Sequence, residues 1–313
     1  MRQTKSESLL KTCIKNLLLV LACTGLLVMP AAAQTFTNLY SFTNSPYGFF
    51  PDGGLILSGN TLYGTTDGGG TNYNGTVFAV NTDGTGFTNL HNFTGGDGAE
   101  AVGSLILSGN TLYGTASTGG SSGNGTVFAI NTDGTGFTNL YSFTATSYPD
   151  FTNSDGAYPK AGLILSDDTL YGTAFGGGGA DNGTVFAVNT DGTGFRNLYS
   201  FTAWVSGTKT DGAIPEAGLI LSGDTLYGTT DGGGNNGYGT VFAVNTDGTG
   251  FTNLHSLTTT PVSLGMFRYV SQAGLILSGN TLYGTIGYGG SSGDGAVFAL
   301  SLVPPLSITE TNN

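Results

Sequence analysis

Short apolar runs alternate with turn residues along nearly the whole chain, and the runs return in a fixed order. A segment resembling Asn-Leu-Tyr-Ser-Phe begins at Asn38, Asn89, Asn139, Asn197 and Asn253. Leu-Ile-Leu-Ser begins at Leu55, Leu105, Leu163, Leu219 and Leu275. Thr-Leu-Tyr-Gly-Thr carries Tyr63, Tyr113, Tyr171, Tyr227 and Tyr283, and Val-Phe-Ala carries Phe78, Phe128, Phe186, Phe242 and Phe298. Each run is rich in β-branched and aromatic residues and is bounded by Gly, Asn, Asp or Ser, so each predicts a strand. The tripeptides between the Leu-Ile-Leu-Ser and Thr-Leu-Tyr-Gly-Thr runs predict tight hairpins. Asn-Thr-Asp-Gly-Thr-Gly, found four times, predicts a turn with Gly84, Gly134, Gly192 and Gly248 at positive φ.

Five copies of four strands, with tyrosine-to-tyrosine periods of 50, 58, 56 and 56 residues, describe propeller blades. The expected fold is all-β: a five-bladed β-propeller of four-stranded antiparallel blades. A β-solenoid, the competing fold, has shorter coils and no regular tight hairpins. The unbroken apolar Gly-Leu-Ile-Leu stretch suits an innermost strand, and the mixed polar and aromatic Asn-Leu-Tyr-Ser-Phe run suits the rim. The glycine inside each second strand, such as Gly64, marks close approach by a neighbour. A rim strand, Phe36 to Thr43, comes first and a Val-Phe-Ala strand near Val297 comes last. The first strand is therefore expected to complete the last blade and close the ring.

The blade plan resembles the kelch repeat, with glycine pairs such as Gly68-Gly69 and Gly119-Gly120 after the second strand but without the kelch tryptophan. The run LYGTTDGGGTNYNGTVFAVNTDGTGFTNLHNFT, followed by Asp-Gly-Ala, is similar to the "GloVer" tandem repeat of exported bacterial proteins over nearly the whole chain. That resemblance implies a surface or secreted repeat protein. It supplies no catalytic residues.

The first 33 residues read differently. Arg2, Lys5, Lys11 and Lys15 precede an apolar run from Leu17 to Met29, and Ala31-Ala32-Ala33 follows. This is the layout of a signal peptide, with cleavage expected before Gln34. The propeller is then expected over 34–302, followed by a tail over 303–313, with no membrane span in the mature chain. Cys13 and Cys23, the two cysteines, both leave with the leader, removing disulfides, thiol nucleophiles and Cys-ligated metals. Four of the eight basic residues and one of the twenty acidic ones leave too, changing the formal charge from −12 to −15. Such a balance repels phosphate, so nucleic acid is not an expected partner. The mature chain is expected to be a monomer, secreted or at the cell surface.

Candidate chemistry lies where the copies differ. Three of the four spacings within a unit are constant; the rim-to-inner connection alone varies, at 12, 11, 19, 17 and 17 residues. Loops held by a rigid scaffold are the usual place for recognition. Three residues before each Leu-Ile-Leu-Ser run stand Asp52, Val102, Lys160, Glu216 and Gln272, five different side chains at one equivalent position. Trp204, the single tryptophan, and Tyr148 and Tyr269 lie in the long connections and are the expected aromatic anchors. Asp97, Asp155 and Asp211 read as turn residues, as do the lone aspartates of the hairpins. His91 and His255 fall at one rim position in different blades and are read as aromatic packing. No metal, cofactor or catalytic residue is expected. The function read from the sequence is binding or adhesion to a glycan or extracellular peptide. The alternatives are a glycoside hydrolase-like enzyme built on Asp52, Glu100 and Glu216, or a purely structural envelope repeat.

Overall fold

The computed structural model describes residues 36–43, 46–202, 209–258, 273–287 and 295–302. The chain divides into two units, Met1–Asn38 and Leu39–Asn313. Of the first, residues 36–38 are described and form no strand. The second holds an all-β array of propeller-like blades. Its described helical content is one short 3-10 turn, Gly178–Ala180, and no described helix is long and apolar enough to cross a membrane.

Four sheets have four strands each, joined in chain order from one edge to the other. In the first blade these are Ile56–Ser58, Thr61–Thr66, Thr76–Asn81 and Thr88–Asn92. All neighbours are antiparallel, with Leu57 opposite Leu62, Gly64 opposite Phe78 and Val77 opposite His91. The register shifts between Val77 and Phe78, and the same irregularity recurs at the equivalent place in the next three blades. The second-strand glycine answers to this packing. A Cβ on Gly64 would lie 2.7 Å from the ring of Phe78, its partner on the third strand.

The unbroken apolar Gly-Leu-Ile-Leu stretch suggests an inner strand buried on both faces, and the burial corrects that. The Leu-Ile-Leu-Ser strand is an edge strand of three residues with a half-buried isoleucine, because it has a hydrogen-bonded neighbour on one side only. The second and third strands, flanked on both sides, are the buried ones. Between blades the core repeats: Tyr63, Val77 and Phe93 of the first meet Leu105, Leu112 and Phe128 of the second. Three of the rim aromatics also stack on a phenylalanine of the next blade: His91 on Phe137, Tyr141 on Phe195 and Tyr199 on Phe251, at 3.6, 3.7 and 3.6 Å. This is the aromatic role read for His91; His255 stands at the same register position, opposite Val241.

Closure by the first strand is not formed. The fifth sheet has three strands, Ile276–Ser278, Thr281–Ile286 and Ala296–Ser301, and residues 36–43 are in no sheet. Tyr40 instead stacks on Phe87 at 3.6 Å, and Phe42 stands edge-on to Phe78 at 5.1 Å. Aromatic contact with the first blade holds this segment, with no strand ladder to the last. The sixth sheet is a pairing of Lys209–Ala213 with Gly232–Gly234. It enlarges a contact that other connections make as single bridges, such as Ala99 with Thr118 and Ala157 with Gly176.

Candidate functional site

The antiparallel register gives each blade two distinct ends. Thr61 lies opposite Asn81 at one, beside the Asn-Thr-Asp-Gly-Thr-Gly hairpin; Thr66 lies opposite Thr76 at the other, beside the rim-to-inner connection and the glycine-rich loop. At the hairpin end the aspartates act as turn caps. Asp83 accepts hydrogen bonds from the Thr85 amide at 2.9 Å and the Thr85 hydroxyl at 2.7 Å, and Asp133, Asp191 and Asp247 do the same. These bonds, the hydroxyl's first, hold all four carboxyls below the ordinary value.

At the connection end the repeated aspartates do more than turn the chain. Asp155 is buried and accepts bonds from the Tyr141 hydroxyl (2.8 Å), the Thr144 amide (2.8 Å) and the Thr144 hydroxyl (2.5 Å). Asp211 binds Tyr199 and Thr202 in the same way. These carboxylates latch the rim strand to the connection. Burial first, and then the Asp155 and Asp211 carboxylates, push the Tyr141 and Tyr199 hydroxyls far up. In the first blade His91 takes the tyrosine's place, 3.0 Å from Asp97; burial holds its pKa down against that carboxylate.

Four of the described connections place a non-glycine residue in the left-handed region at one equivalent position: Phe50, Glu100, Tyr158 and Ile214, with φ of 54, 56, 60 and 62°. The backbone is fixed on both sides. The Tyr158 amide donates to the Asn124 carbonyl of the preceding blade's loop at 2.8 Å, and its own carbonyl accepts from Phe175 at 3.1 Å. Glu100 and Ile214 are held by the same two bonds. A bulky residue in this conformation is uncommon and persists where its surroundings over-determine it. The result is a common frame that displays four different side chains. Phe50, Glu100 and Tyr158 are exposed.

Two residues further on is the position singled out from the sequence. The structure brings Lys160 and Glu216 together across neighbouring blades, at 2.8 Å, and lays the Lys160 ammonium over the Phe175 ring at 3.9 Å. Asp52 is exposed and Val102 half-buried. Near them Asp67 is pushed up, by burial first and then by the Glu100 and Asp52 charges. The Ser117 hydroxyl donates to Glu100 at 3.4 Å. This end is thus acidic at the first two blades and ion-paired at the third and fourth. Tyr148 is strongly exposed and stands edge-on to Phe151 at 5.9 Å. Trp204, Tyr269 and Gln272 lie outside the described residues.

Sequence reasoning missed the left-handed row and the latches as such. Both were countable: the row stands five residues before the first leucine of the first four Leu-Ile-Leu-Ser runs, and Asp97, Asp155 and Asp211 stand eight before it. Among the described residues, no group of three His, Cys, Asp or Glu side chains is disposed to hold a metal ion.

Repeated antiparallel blades, with one uniform end and one variable end, define a propeller-like repeat protein. Its family follows from the sequence: the Gloeobacter/Verrucomicrobia repeat matches residues 24–150 and 146–306, and the chain belongs to that family. No curated protein matches it in sequence. Among solved structures it is similar to a chain of the nidogen/laminin complex, with 16% identity and a TM-score of 0.47, over 78% of this chain and 72% of that one. It is also similar to TolB from Acinetobacter baumannii, with 13% identity and a TM-score of 0.44 over 78% of this chain. It spans about half of that TolB chain, 49%.

Proposed function

We propose that this chain is an exported binding module that recognises a glycan or extracellular peptide through the connection end of its blades. The observation that carries the reading is the row Phe50, Glu100, Tyr158 and Ile214: a shared left-handed backbone position, held in the last three by the same two hydrogen bonds, that carries a different side chain in each of four connections, three of them exposed. A scaffold with no recognition role has no use for four strained bulky residues where glycine would fit without strain. Exposed aromatics on the same connections, Phe50, Tyr148, Phe151 and Tyr158, offer the flat apolar area with a polar edge that sugars and extended peptides use. Trp204 and Tyr269, in the long connections, extend the reading.

The hydrolase alternative has less support. Of its three acids, Glu216 is already ion-paired with Lys160 at 2.8 Å, so it is not presented free toward a substrate's bond. Export rests on the basic and apolar leader, and a mature N-terminus at Gln34, read by mass spectrometry, tests it.

The binding test is a polysaccharide and peptide screen followed by titration calorimetry. Tyr158→Ala and Phe50→Ala are expected to weaken a confirmed ligand at least tenfold, whereas Asp83→Ala, at the other end of the blade, leaves affinity unchanged. Loss of binding with Asp83→Ala alone would place recognition at the hairpin end.

A further inference from the structure

Consecutive blades press together two faces of fixed and different composition. The earlier blade contributes the tyrosine of its second strand and the valine of its third, as Tyr63 and Val77 do. The later blade contributes the leucine before its inner strand and apolar residues of its second and third strands, as Leu105, Leu112 and Phe128 do. The next two interfaces repeat the pattern.

The first and fifth blades each leave one of these faces open. On the fifth, Val297 is 79% exposed, although Val77, Val127, Val185 and Val241 are fully buried at its equivalent position. Ile276, in the same blade's inner strand, is 67% exposed. On the first, Leu55 is 55% exposed where Leu105 is 4%, and Leu57 is 60% exposed where Leu107 packs into the core. The fifth blade therefore shows solvent the earlier-blade half of the interface, and the first shows the later-blade half. Both are uncovered at once in the same chain.

The backbone is unmatched in the same way. In the four complete blades the third-strand valine lies opposite the rim aromatic: Val77 with His91, Val127 with Tyr141, Val185 with Tyr199, Val241 with His255. Among the described residues, Val297 has no such partner strand. Tyr40 and Phe42, meanwhile, pack on the first blade as a preceding blade's rim strand does. Tyr40 stacks on Phe87 at 3.6 Å as His91 stacks on Phe137 at 3.6 Å, and Phe42 meets Phe78 at 5.1 Å as Phe93 meets Phe128 at 5.3 Å.

We infer that a second copy of this chain covers each open face, head to tail. The fifth blade of one copy docks on the first blade of the next, and residues 39–43 of that next copy become its missing fourth strand, with Tyr40 opposite Val297. Main-chain bonding to an open sheet edge supplies affinity, and the repeated side-chain pattern supplies register. The contact is heterologous, so a free face remains at each end of any open assembly and growth continues. A chain assembling in this way replaces the monomer expected from the sequence, and it sets recognition rows side by side.

Sedimentation of the full chain over a range of concentrations tests this, with Leu57→Asp and Val297→Asp as variants. Both residues are exposed in the single chain, so neither change should disturb its fold. The parent is expected to reach masses beyond two chains, and each variant alone to remain at one. Mixed, the two variants are expected to form one-to-one dimers and nothing larger, because together they retain one sound pair of faces. A parent that stays at one chain, with the same melting temperature as the variants, overturns the proposal. So does a single-chain parent whose melting temperature falls in both variants, which would mean that the chain closes on itself. Large assemblies unaffected by either substitution would place the contact elsewhere and overturn it equally.

Discussion

The two ends of each blade solve the same backbone problem with different residues. At the hairpin end the chain enters the left-handed region at Gly84, Gly134, Gly192 and Gly248, with φ between 82 and 87°. Glycine adopts that region freely, and the surrounding hexapeptide is the same in all four copies. At the connection end the chain enters it at Phe50, Glu100, Tyr158 and Ile214. The hairpin end is shaped for turning alone. The connection end accepts strain and gains a displayed side chain.

Both ends depend on a common core, so the largest expected effect is indifferent to them. Phe128 is fully buried between the first and second blades. Phe128→Ala is expected to destabilise by about 3–5 kcal/mol, measured by denaturant unfolding, since a close-packed site collapses only partly around the lost ring. A loss near 1 kcal/mol would mean that the blades slide together to refill the space.

Next comes the latch, which belongs to the connection end only. Asp155→Ala leaves a tyrosine hydroxyl, an amide and a threonine hydroxyl without their acceptor. The expected loss is about 2–3 kcal/mol, the range for leaving buried polar groups unpaired. Asp133→Ala, at the exposed hairpin end, is expected to have a much smaller effect in the same unfolding assay. Equal losses would erase the distinction between latch and turn cap.

How far the sequence foretold this contrast depends on how local each feature is. Strands and hairpins were legible because five copies repeat their apolar runs and their Asn-Thr-Asp-Gly-Thr-Gly turns, and sheet order followed from the short connections. The latch was half legible: Asp155 and Asp211 were seen, but their role needs Tyr141 and Tyr199, and that contact is made only on folding. The left-handed row was hidden because Phe, Glu, Tyr and Ile share no chemistry that signals positive φ. Ring closure was misread because it depends on pairing the two ends of the chain, which no local pattern fixes. Lys160 and Glu216 were singled out separately; their meeting across two blades was not foreseen.

A paired substitution probes the strain itself. Gly134→Ala forces a side chain into φ 84° and brings its Cβ to 3.2 Å from the Leu90 carbonyl oxygen, so it is expected to destabilise by about 1–2 kcal/mol. Ile214→Gly is expected to stay within about 1 kcal/mol of the parent, since relief of strain offsets the lost side chain and the greater entropy of unfolded glycine. Thermal unfolding of the two variants reads the difference. A steeper loss for Ile214→Gly would mean that packing, rather than display, keeps a bulky residue there.

The smallest effect separates the two ends by sign. The hairpin aspartates have folded pKa values lowered by the Thr85-type hydroxyl and amide bonds. The unfolded chain therefore binds those protons first, near the ordinary value of about 3.9. Their stabilisation is present above that pH and is lost as pH falls through the lower folded value. Asp67 is the opposite case, raised by burial and by its acidic neighbours. The folded chain takes up its proton first, so its charge works against folding above its raised pKa, and stability recovers as pH falls through that value. Asp83→Asn should therefore lower the melting temperature slightly at pH 7, by an amount that shrinks as pH falls through the lowered folded value. Asp67→Asn should raise it slightly at pH 7, with the gain fading once pH falls below the ordinary carboxylate value. Melting curves of both variants against the parent from pH 2 to 7 decide it. Shifts of the same sign at pH 7 would show that the crowding of Asp52, Asp67 and Glu100 is relieved in the folded chain, removing the electrostatic difference between the ends.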